Sequence, residues 1–423
     1  MNSILLFTNN LRIEDNKTLN ACFENSDSVL PIFIFDPKNL ENTDFGNSRF
    51  SRFRRKILLE SLEDLEKNLN AKDLRLYKFF GEPTSILNEL FEKHSIDRIF
   101  IQKEYSDYEI KFEEALKRNF SESKIFLIED STLLALKDLP FEIEFLPDTF
   151  STFRNKVEKN LTIESPFSLP LKIPKLIQLD HPENSFYEKE NFHFDSRTAF
   201  PFQGGEKNAI EHLQNYIWKD KQILTYKLTR NELIGEKYST KFSPFLANGS
   251  LSARQIYFEV KKFESEVEKN ESTYWVIFEL LWRDFFRFCF LKHGKNFFLK
   301  NGIHSTRKIF TIDFDKFNSW KTGNTKDSFV NANMIELNQT GFMSNRGRQI
   351  TASYLINDLN LDWRLGAEYF EAILIDYDVY SNWGNWAYLA GVGNDPRKDR
   401  YFNPTKQAEI YDRDKKFRKL WLD

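Results

Sequence analysis

Short apolar runs alternate with amphipathic stretches over the first 130 residues of the chain. Buried strands, by their length and their Ile, Phe and Leu content, are predicted at 4–8, 29–35, 74–80, 98–102 and 124–128. Residues 55–69 repeat leucine at three- and four-residue spacing, which predicts a helix. Strands that alternate with helices form a parallel sheet covered on both faces. We therefore predict an α/β domain with a five-stranded, Rossmann-like parallel sheet over residues 1–130.

The periodic pattern is interrupted over residues 131–200. Seven of the thirteen prolines lie between 140 and 201, and proline ends regular elements. Only one short helix is predicted here, at 149–159. The phenylalanines spread through the segment argue against a disordered linker, because such linkers are poor in aromatic residues. We predict an ordered connector that lies over a domain surface.

From residue 201 to residue 423 the pattern becomes helical, which predicts an all-α domain. Amphipathic spacing indicates helices at 206–218, 252–263 and 274–292. In the third of these, Glu279 and Arg283 stand on one side, next to Trp282. Such a charged pair fits either the wall of a pocket or a surface ion pair beside a buried stripe.

Composition separates the same two halves. All eight tryptophans lie at or beyond Trp218, and thirteen of the fifteen glycines lie at or beyond Gly204. A glycine-rich phosphate loop cannot be built in the first half, where the only glycines are Gly46 and Gly81. Two cysteines exclude a disulfide scaffold and a four-cysteine metal site.

Charge and hydropathy narrow the class of protein further. The net charge of −3 shows no global basic excess, although a local basic patch can still bind nucleic acid. No apolar run approaches the 18 residues of a membrane span, and the first residues lack the features of a signal peptide. We therefore expect a cytoplasmic monomer without a membrane partner.

Two segments of the second half suggest a ligand site. Residues 239–243 place three hydroxyls and a lysine before a predicted helix, which suits either phosphate binding or simple N-capping. Residues 376–388 combine two aspartates, two asparagines and five Trp or Tyr rings. No histidine or third acid completes a metal site with these aspartates, so no metal is predicted. A planar heterocycle fits the segment better.

The ends of the predicted strands offer a second candidate. Asp36 and Glu104 each follow a strand, where open α/β sheets bind ligands. Ordinary loop and capping residues have the same composition, and this second interpretation is favoured by the residues alone.

Long ordered motifs of the second half resemble the flavin domain of the photolyase/cryptochrome family. The resemblance extends to the opening LLFTNNLRIEDN and spans nearly the whole chain, and it is closest to the DASH-type cryptochromes. It implies one FAD per chain, bound within the helical domain. The motifs are TYKLTRN at 225–231, STKFSPFLANGSLS at 239–252, FELLWRDFFRF at 278–288, NANMIELNQTGFMSNRGRQ at 331–349, LDWRLGAEYF at 361–370, DYDVYSNWGNW at 376–386 and GNDPRKDRYFNPTKQ at 393–407.

The resemblance implies roles for individual residues around FAD. It assigns the 239–243 segment to the diphosphate, which overturns the N-capping interpretation, and it places Asn382 beside flavin N5. The implied cofactor contacts are Tyr226, Ser239, Thr240, Lys241, Phe242, Ser243, Arg283, Asn345, Asp376, Asp378 and Asn382.

A chain of tryptophans passes electrons to the photoexcited flavin in this family. Trp386 and Trp363 match its first two members, and both are counted with Glu279 and Asn382 as catalytic residues. The distal position matches Phe310, and phenylalanine is too hard to oxidise to serve. Either another residue such as Trp320 takes over, or photoreduction is impaired.

The resemblance also implies a substrate, a cyclobutane pyrimidine dimer flipped into a cavity beside the flavin. Glu279 would hydrogen-bond the dimer, and Trp282 would pack on it. Tyr388 and Gln349 stand where duplex photolyases usually carry tryptophan and methionine, which favours single-stranded DNA, or RNA, as substrate. The full set of implied substrate contacts is Glu279, Trp282, Asn345, Gln349, Tyr388, Arg346, Arg348 and Arg397, with Lys398 and Arg400 as further members of a basic rim.

Two further implications concern light. The resemblance suggests a methenyltetrahydrofolate antenna, with Glu104 as its contact. The chain is therefore expected to be a light-driven lyase of the deoxyribodipyrimidine photo-lyase type, and the alternative is a blue-light photoreceptor with little repair. The residues Glu279, Trp282 and Asn345 favour repair.

Overall fold

The computed structural model describes residues 1–179, 192–304, 309–397 and 400–423. Its first half contains a parallel sheet in the order β3-β2-β1-β4-β5, which confirms the predicted α/β domain. A further strand of two residues, β6, comes from the connector and pairs with the start of β2. The strands are β1 (Asn2–Phe7), β2 (Ser28–Phe35), β3 (Tyr77–Phe80), β4 (Arg98–Gln102), β5 (Ile125–Ile128) and β6 (Lys175–Leu176).

Helices cover both faces of this sheet because alternate strand residues point to opposite sides. Leu5 and Phe7 of β1 join one apolar cluster, whereas Ile4 and Leu6 join another. The first cluster includes α1 and α2, and the second includes α3 and α4. These helices are α1 (Lys17–Glu24), α2 (Arg52–Asn70), α3 (Pro83–Lys93) and α4 (Asp107–Asn119).

The described part of the connector contains one α-helix, as predicted for 149–159, and the second half is helical, as predicted for residues from 201 onward. Within the described ranges, no helix is both long and apolar enough to cross a membrane. The helices are α5 (Phe150–Val157), α6 (Glu206–Gln214), α7 (Tyr226–Thr229), α8 (Ser243–Asn248), α9 (Ala253–Glu266), α10 (Glu271–His293), α11 (Phe314–Lys321), α12 (Ser328–Thr340), α13 (Asn345–Ser353), α14 (Trp363–Ile373), α15 (Val379–Leu389), α16 (Pro404–Tyr411) and α17 (Lys416–Leu422). Wider π turns continue α6 over Asn215–Lys219 and α13 over Tyr354–Asp358.

Helix α10 carries several of the candidate residues, and its start is set by a cap. The side chain of Asn270 accepts hydrogen bonds from the backbone N–H groups of Ser272 and Thr273. This cap starts the helix three residues before the predicted 274–292. On the apolar side of this helix Phe285 and Cys289 are wholly buried, whereas Trp282 is half-buried.

A buried ionic cluster joins the sheet half to the helical half. Arg12 donates to Asp130 at 3.1 Å, and Arg254 of α9 donates to Asp15 at 3.0 Å and also bonds Asp130. All four side chains are almost fully buried. Because unpaired buried charges are strongly unfavourable, these ion pairs hold α9 against the loops that follow β1 and β5.

Candidate functional site

A cavity of about 120 Å³ opens between α13, α14 and α15. Its wall combines carboxylates, amides, an arginine and a tryptophan from segments far apart in the chain. The predicted residues that it brings together are Asn345, Arg348, Gln349, Asp376, Asp378, Asn382 and Trp386.

The two aspartates of this cavity are bound by arginines. Arg348 donates to both carboxylate oxygens of Asp376, at 3.0 and 2.9 Å, and the Ser243 hydroxyl donates to the same group at 2.7 Å. Arg287 donates to Asp378 at 2.8 Å. Burial raises the pKa of Asp378, but nearby arginine charges outweigh burial and hold it below its ordinary value. In the described part of the chain, no group of three or more His, Cys, Asp or Glu side chains is arranged for a metal ion.

Lys241 has an unusual environment two residues before Ser243, which bonds the cavity residue Asp376. Its ammonium lies 3.2 Å from the ring centroid of Tyr238 and 4.6 Å from that of Phe342, and the residue is 2% exposed. Among the described residues its Nζ has no hydrogen-bond partner. Burial lowers the pKa of Lys241 well below its usual value and raises the pKa of the nearby Glu336 to about 8. A buried amine without a partner indicates a site for an anionic group.

The rest of the 239–243 segment is divided between the site and the core. Ser243 begins α8 and reaches Asp376, whereas the Thr240 carbonyl bonds the His212 ring at 2.8 Å. Phe242 packs edge-on against Tyr216, so it is a core residue that holds the segment in place. The remaining predicted residues nearby are Tyr226, which is buried, and Ser239, which is half-buried.

Asn382 and Trp386 lie one turn apart on α15 and both face the cavity. The Asn382 amide donates from Nδ2 to the Ala367 carbonyl at 2.9 Å, which leaves its Oδ1 as an acceptor. Trp386 packs against α14 at Gly366, where a Cβ would lie 2.1 Å from the indole. Glycine is therefore required there, because any side chain would push the indole out of this position.

The second predicted relay residue, Trp363, is wholly buried at the start of α14. Its indole N–H donates to the Lys300 carbonyl at 3.1 Å, and the Lys300 ammonium donates to the Phe310 carbonyl at 3.0 Å. The structure thus places Phe310 close to Trp363, where the resemblance expects a distal tryptophan. Trp320 lies elsewhere, with its ring 6.3 Å from that of Trp386.

A second group of predicted residues forms a pocket wall on α10. Trp282 stacks on Phe150 of the connector at 3.8 Å and meets the ring of Tyr388 edge-on at 5.8 Å. One turn earlier, Glu279 forms an ion pair with Arg230. Burial raises the pKa of Glu279, and the Arg230 charge opposes that rise. Glu279 and Arg283 therefore do not form the surface pair that the sequence left open.

The carboxyl edge of the sheet holds a cavity of about 300 Å³. Glu104 lines it, accepting hydrogen bonds from Gln102 at 2.7 Å and from the Tyr380 hydroxyl at 2.8 Å. Asp36 lines it too and accepts from the Tyr108 hydroxyl at 2.5 Å. A cavity therefore lies at the strand ends, where a ligand site was one of the two interpretations of Asp36 and Glu104.

The two cavities share part of their walls. Tyr377 and Asp378 line both of them. Glu109 also faces the cavity at the sheet edge, and burial raises its pKa to about 8. A chromophore at the sheet edge would therefore lie one chain segment away from a ligand between α13 and α15.

Comparison with known proteins decides the family. The FAD binding domain of DNA photolyase matches residues 275–423, and the DNA photolyase domain matches residues 3–174. The chain is 42% identical to Cryptochrome DASH of Xenopus laevis over 428 residues, covering 99% of this chain and 82% of that protein. The chain belongs to the photolyase/cryptochrome family. Its helical domain is an FAD-binding domain, as predicted.

Solved structures of this family agree. A cryptochrome from Synechocystis superimposes with a TM-score of 0.95 at 38% identity, covering 100% of this chain and 89% of that one. An archaeal photolyase from Sulfolobus tokodaii, solved with two FAD molecules, superimposes with a TM-score of 0.79 at 28% identity, covering 100% and 90%. The photolyase/cryptochrome family acts on DNA, and the relatives most similar to this chain include several named Cryptochrome DASH.

Three arginines of this cryptochrome-like chain have partners within the protein. Arg348, predicted for the DNA-binding rim, binds Asp376 and lines the flavin-domain cavity. Arg283 donates to the Ser131 carbonyl at 2.6 Å, on the connector, and the arginine that reaches Asp378 is Arg287. Arg287 was missed although it stands four residues after Arg283, on the same helix face.

The remaining residues of the predicted basic rim differ in exposure and in their partners. Arg397 is exposed, whereas Arg346 is half-buried over the ring of Tyr411 at 4.9 Å. Arg400 binds the Tyr388 hydroxyl at 2.8 Å and also pairs with Asp395, so it supports Tyr388. Lys398 lies outside the described residues. Arg230, the partner of Glu279, was missed although it lies in the TYKLTRN motif.

Proposed function

We propose that this member of the family is a blue-light-driven, FAD-dependent lyase that splits cyclobutane pyrimidine dimers in single-stranded DNA. The observation that carries the proposal is the group formed by Glu279, Trp282 and Tyr388. It joins a partly buried carboxylate to two aromatic rings, and one of these rings, Tyr388, stands on α15, which also lines the flavin-domain cavity. A carboxylate beside flat rings suits a flipped-out pyrimidine pair, which presents ring faces and polar edges.

The residues of the cavity and of the neighbouring 239–243 segment fit FAD. The unpaired Lys241 ammonium and Ser243 would hold the diphosphate, because a partnerless buried amine is stabilised by an anionic ligand. Asp376 and Asp378 would bind the hydroxyl and ring edges, and the free Oδ1 of Asn382 would accept a hydrogen bond from flavin N5. When bound, FAD supplies the light-excited electron that opens the cyclobutane and takes it back afterwards.

The pocket residues then act on the substrate. Trp282 presents a face for stacking while Phe150 supports the other side of the indole. Glu279, held by Arg230, would hydrogen-bond the polar edge of the dimer. Arg397 would contact the phosphate backbone, with Arg346 as a second candidate. Tyr388 directs its hydroxyl at Arg400, so this side of the pocket is more polar than one closed by a second indole.

Strand preference tests this proposal. A polar pocket offers less stacking free energy to extract a dimer from a duplex, and stacking contributes about 1–3 kcal/mol per base. Repair of a thymine dimer under blue light is therefore expected to be about tenfold faster in a single strand than in the matched duplex. The double variant Tyr388→Trp with Gln349→Met should narrow this ratio by speeding duplex repair. Equal rates of wild-type repair on both substrates would reject the preference.

The sheet-edge cavity is the proposed antenna site, with methenyltetrahydrofolate as its ligand. Glu104 would accept a hydrogen bond from the pterin in place of the one that it now accepts from Gln102 or Tyr380. The apolar ends of β1, β2 and β4 would cover the ring faces.

A second candidate function is a blue-light photoreceptor with little repair activity. The observation in its favour is Phe310, since a broken electron relay would alter the photochemistry that restores the active flavin. A photoreceptor would use the same FAD site as the proposed lyase. The two functions differ in one expected result, because a photoreceptor would leave pyrimidine dimers intact under light.

A further inference from the structure

We propose that Trp383 replaces the missing distal member of the tryptophan relay, and that Glu371 stabilises its oxidised form. This inference rests on the proposed FAD-dependent function. Phe310 cannot be oxidised by a tryptophan radical, so an electron vacancy passed from Trp386 to Trp363 needs another destination.

The three indoles lie on the two helices α14 and α15, which pack against each other. Trp383 lies one turn before Trp386 on α15, and Trp386 packs against Gly366 one turn after Trp363 on α14. The ring of Trp383 meets that of Trp363 edge-on at 5.7 Å. An electron can therefore pass between Trp383 and Trp363 by direct ring contact, without Phe310.

The hydrogen-bond partner of each indole favours Trp383 as the end of the relay. Its N–H donates to a carboxylate oxygen of Glu371 at 3.2 Å. The N–H groups of Trp363 and Trp320 donate instead to backbone carbonyls, those of Lys300 and Thr351. A positive charge on an indole is stabilised far more by an anionic partner than by a neutral one.

Glu371 also has a connection to solvent. Its other oxygen accepts from Arg49 at 3.2 Å, and Arg49 is 39% exposed. The Tyr377 hydroxyl donates to the same oxygen as Trp383, at 2.8 Å. This arrangement keeps the negatively charged oxygen directed at the indole, and it offers a place for the indole proton after oxidation.

The electron balance of the relay is simple. Trp386 gives one electron to the light-excited oxidised flavin, Trp363 refills Trp386, and Trp383 refills Trp363. Trp383 is left as a radical cation, or as a neutral radical if its proton moves to Glu371. A thiol in solution then returns one electron to Trp383, so that each cycle moves one electron from thiol to flavin.

Trp320 is the competing branch, and it provides the matched control. It touches Trp386 directly and is buried, as Trp383 is at 5% exposure, but unlike Trp383 it has no acidic partner for its N–H. An electron vacancy placed there would return quickly. Trp383→Phe and Trp320→Phe remove the same group from the two branches.

The test is laser-flash absorption of the FAD-loaded protein without DNA. We expect Trp383→Phe to shorten the tryptophan-radical lifetime and to lower the yield of thiol-dependent flavin photoreduction by at least about tenfold. Glu371→Gln, which keeps the ring, should shorten the lifetime too, while Trp320→Phe should change little. A long-lived radical that survives in Trp383→Phe, one lost only in Trp320→Phe, or none in the wild type overturns the proposal.

Chemical reduction separates this inference from the proposed function. Protein reduced with dithionite needs no relay, so Trp383→Phe is expected to repair a single-stranded dimer as fast as the wild type. Failure of the reduced wild type to repair would reject the lyase, whereas the radical kinetics would still decide the role of Trp383. FAD content and the thermal unfolding midpoint show whether each variant is folded.

Discussion

Lys241→Met is expected to lower the affinity of the protein for FAD about 10²-fold. The ammonium of Lys241 is buried between two rings and has no hydrogen-bond partner among the described residues. A charge-assisted bond to a phosphate would satisfy it, and such a bond contributes about 1.5–3 kcal/mol. Titration of the apoprotein with FAD, followed by flavin fluorescence, measures the loss.

A surface lysine supplies the control for this substitution. Lys237 is 56% exposed and pairs with Asp220 at 2.8 Å, so Lys237→Met should leave FAD affinity unchanged. Lys241→Met should not destabilise the apoprotein, because it removes an unpaired buried amine. Binding of the diphosphate should also restore the proton that burial disfavours on Lys241. Affinity is then expected to fall as pH rises, and wild-type affinity in Lys241→Met would contradict this role.

Asp130→Ala is expected to lower the free energy of unfolding by about 3–5 kcal/mol. The carboxylate of Asp130 is fully buried and binds both Arg12 and Arg254, which would be left as buried charges with fewer partners. Urea unfolding of the FAD-loaded protein measures the change.

The matched control is an exposed aspartate in an ion pair. Asp27 is 76% exposed and binds the N-terminal ammonium at 2.5 Å, so Asp27→Ala should leave the free energy of unfolding nearly unchanged. Similar losses in Asp130→Ala and Asp27→Ala would show that the buried cluster does not hold the two halves together.

The elements of this fold were predictable because their signals are local. The strands β1 and β4 are short apolar runs. Helices cover both faces of the sheet at these strands, which explains why polar residues do not alternate with apolar ones along them. The cap that lengthens α10 is local too, but it was missed because Asn270 lies outside the apolar pattern. The two-residue strand β6 was missed because it carries almost no periodic signal.

The sequence motifs predicted which segments form the candidate site, but they did not predict which partner each side chain reaches. Spacing along α10 places Arg283 and Arg287 on one face, but only tertiary packing decides which of them reaches Asp378. Phe150 stacks on Trp282 across 132 positions of sequence, and no local pattern announces such a contact. The Arg348 side chain points toward Asp376, a partner 28 residues away in the sequence, and no local pattern predicts this pairing.

Light-dependent repair tests directly whether this protein splits pyrimidine dimers. FAD-loaded, chemically reduced protein is mixed with a single-stranded oligonucleotide that carries one thymine dimer, and the loss of dimer is followed under blue light and in the dark. We predict repair in the light only, slowed about tenfold or more in Glu279→Gln because one charged hydrogen bond to the dimer is lost. No loss of dimer under light by the reduced wild-type protein would contradict the account.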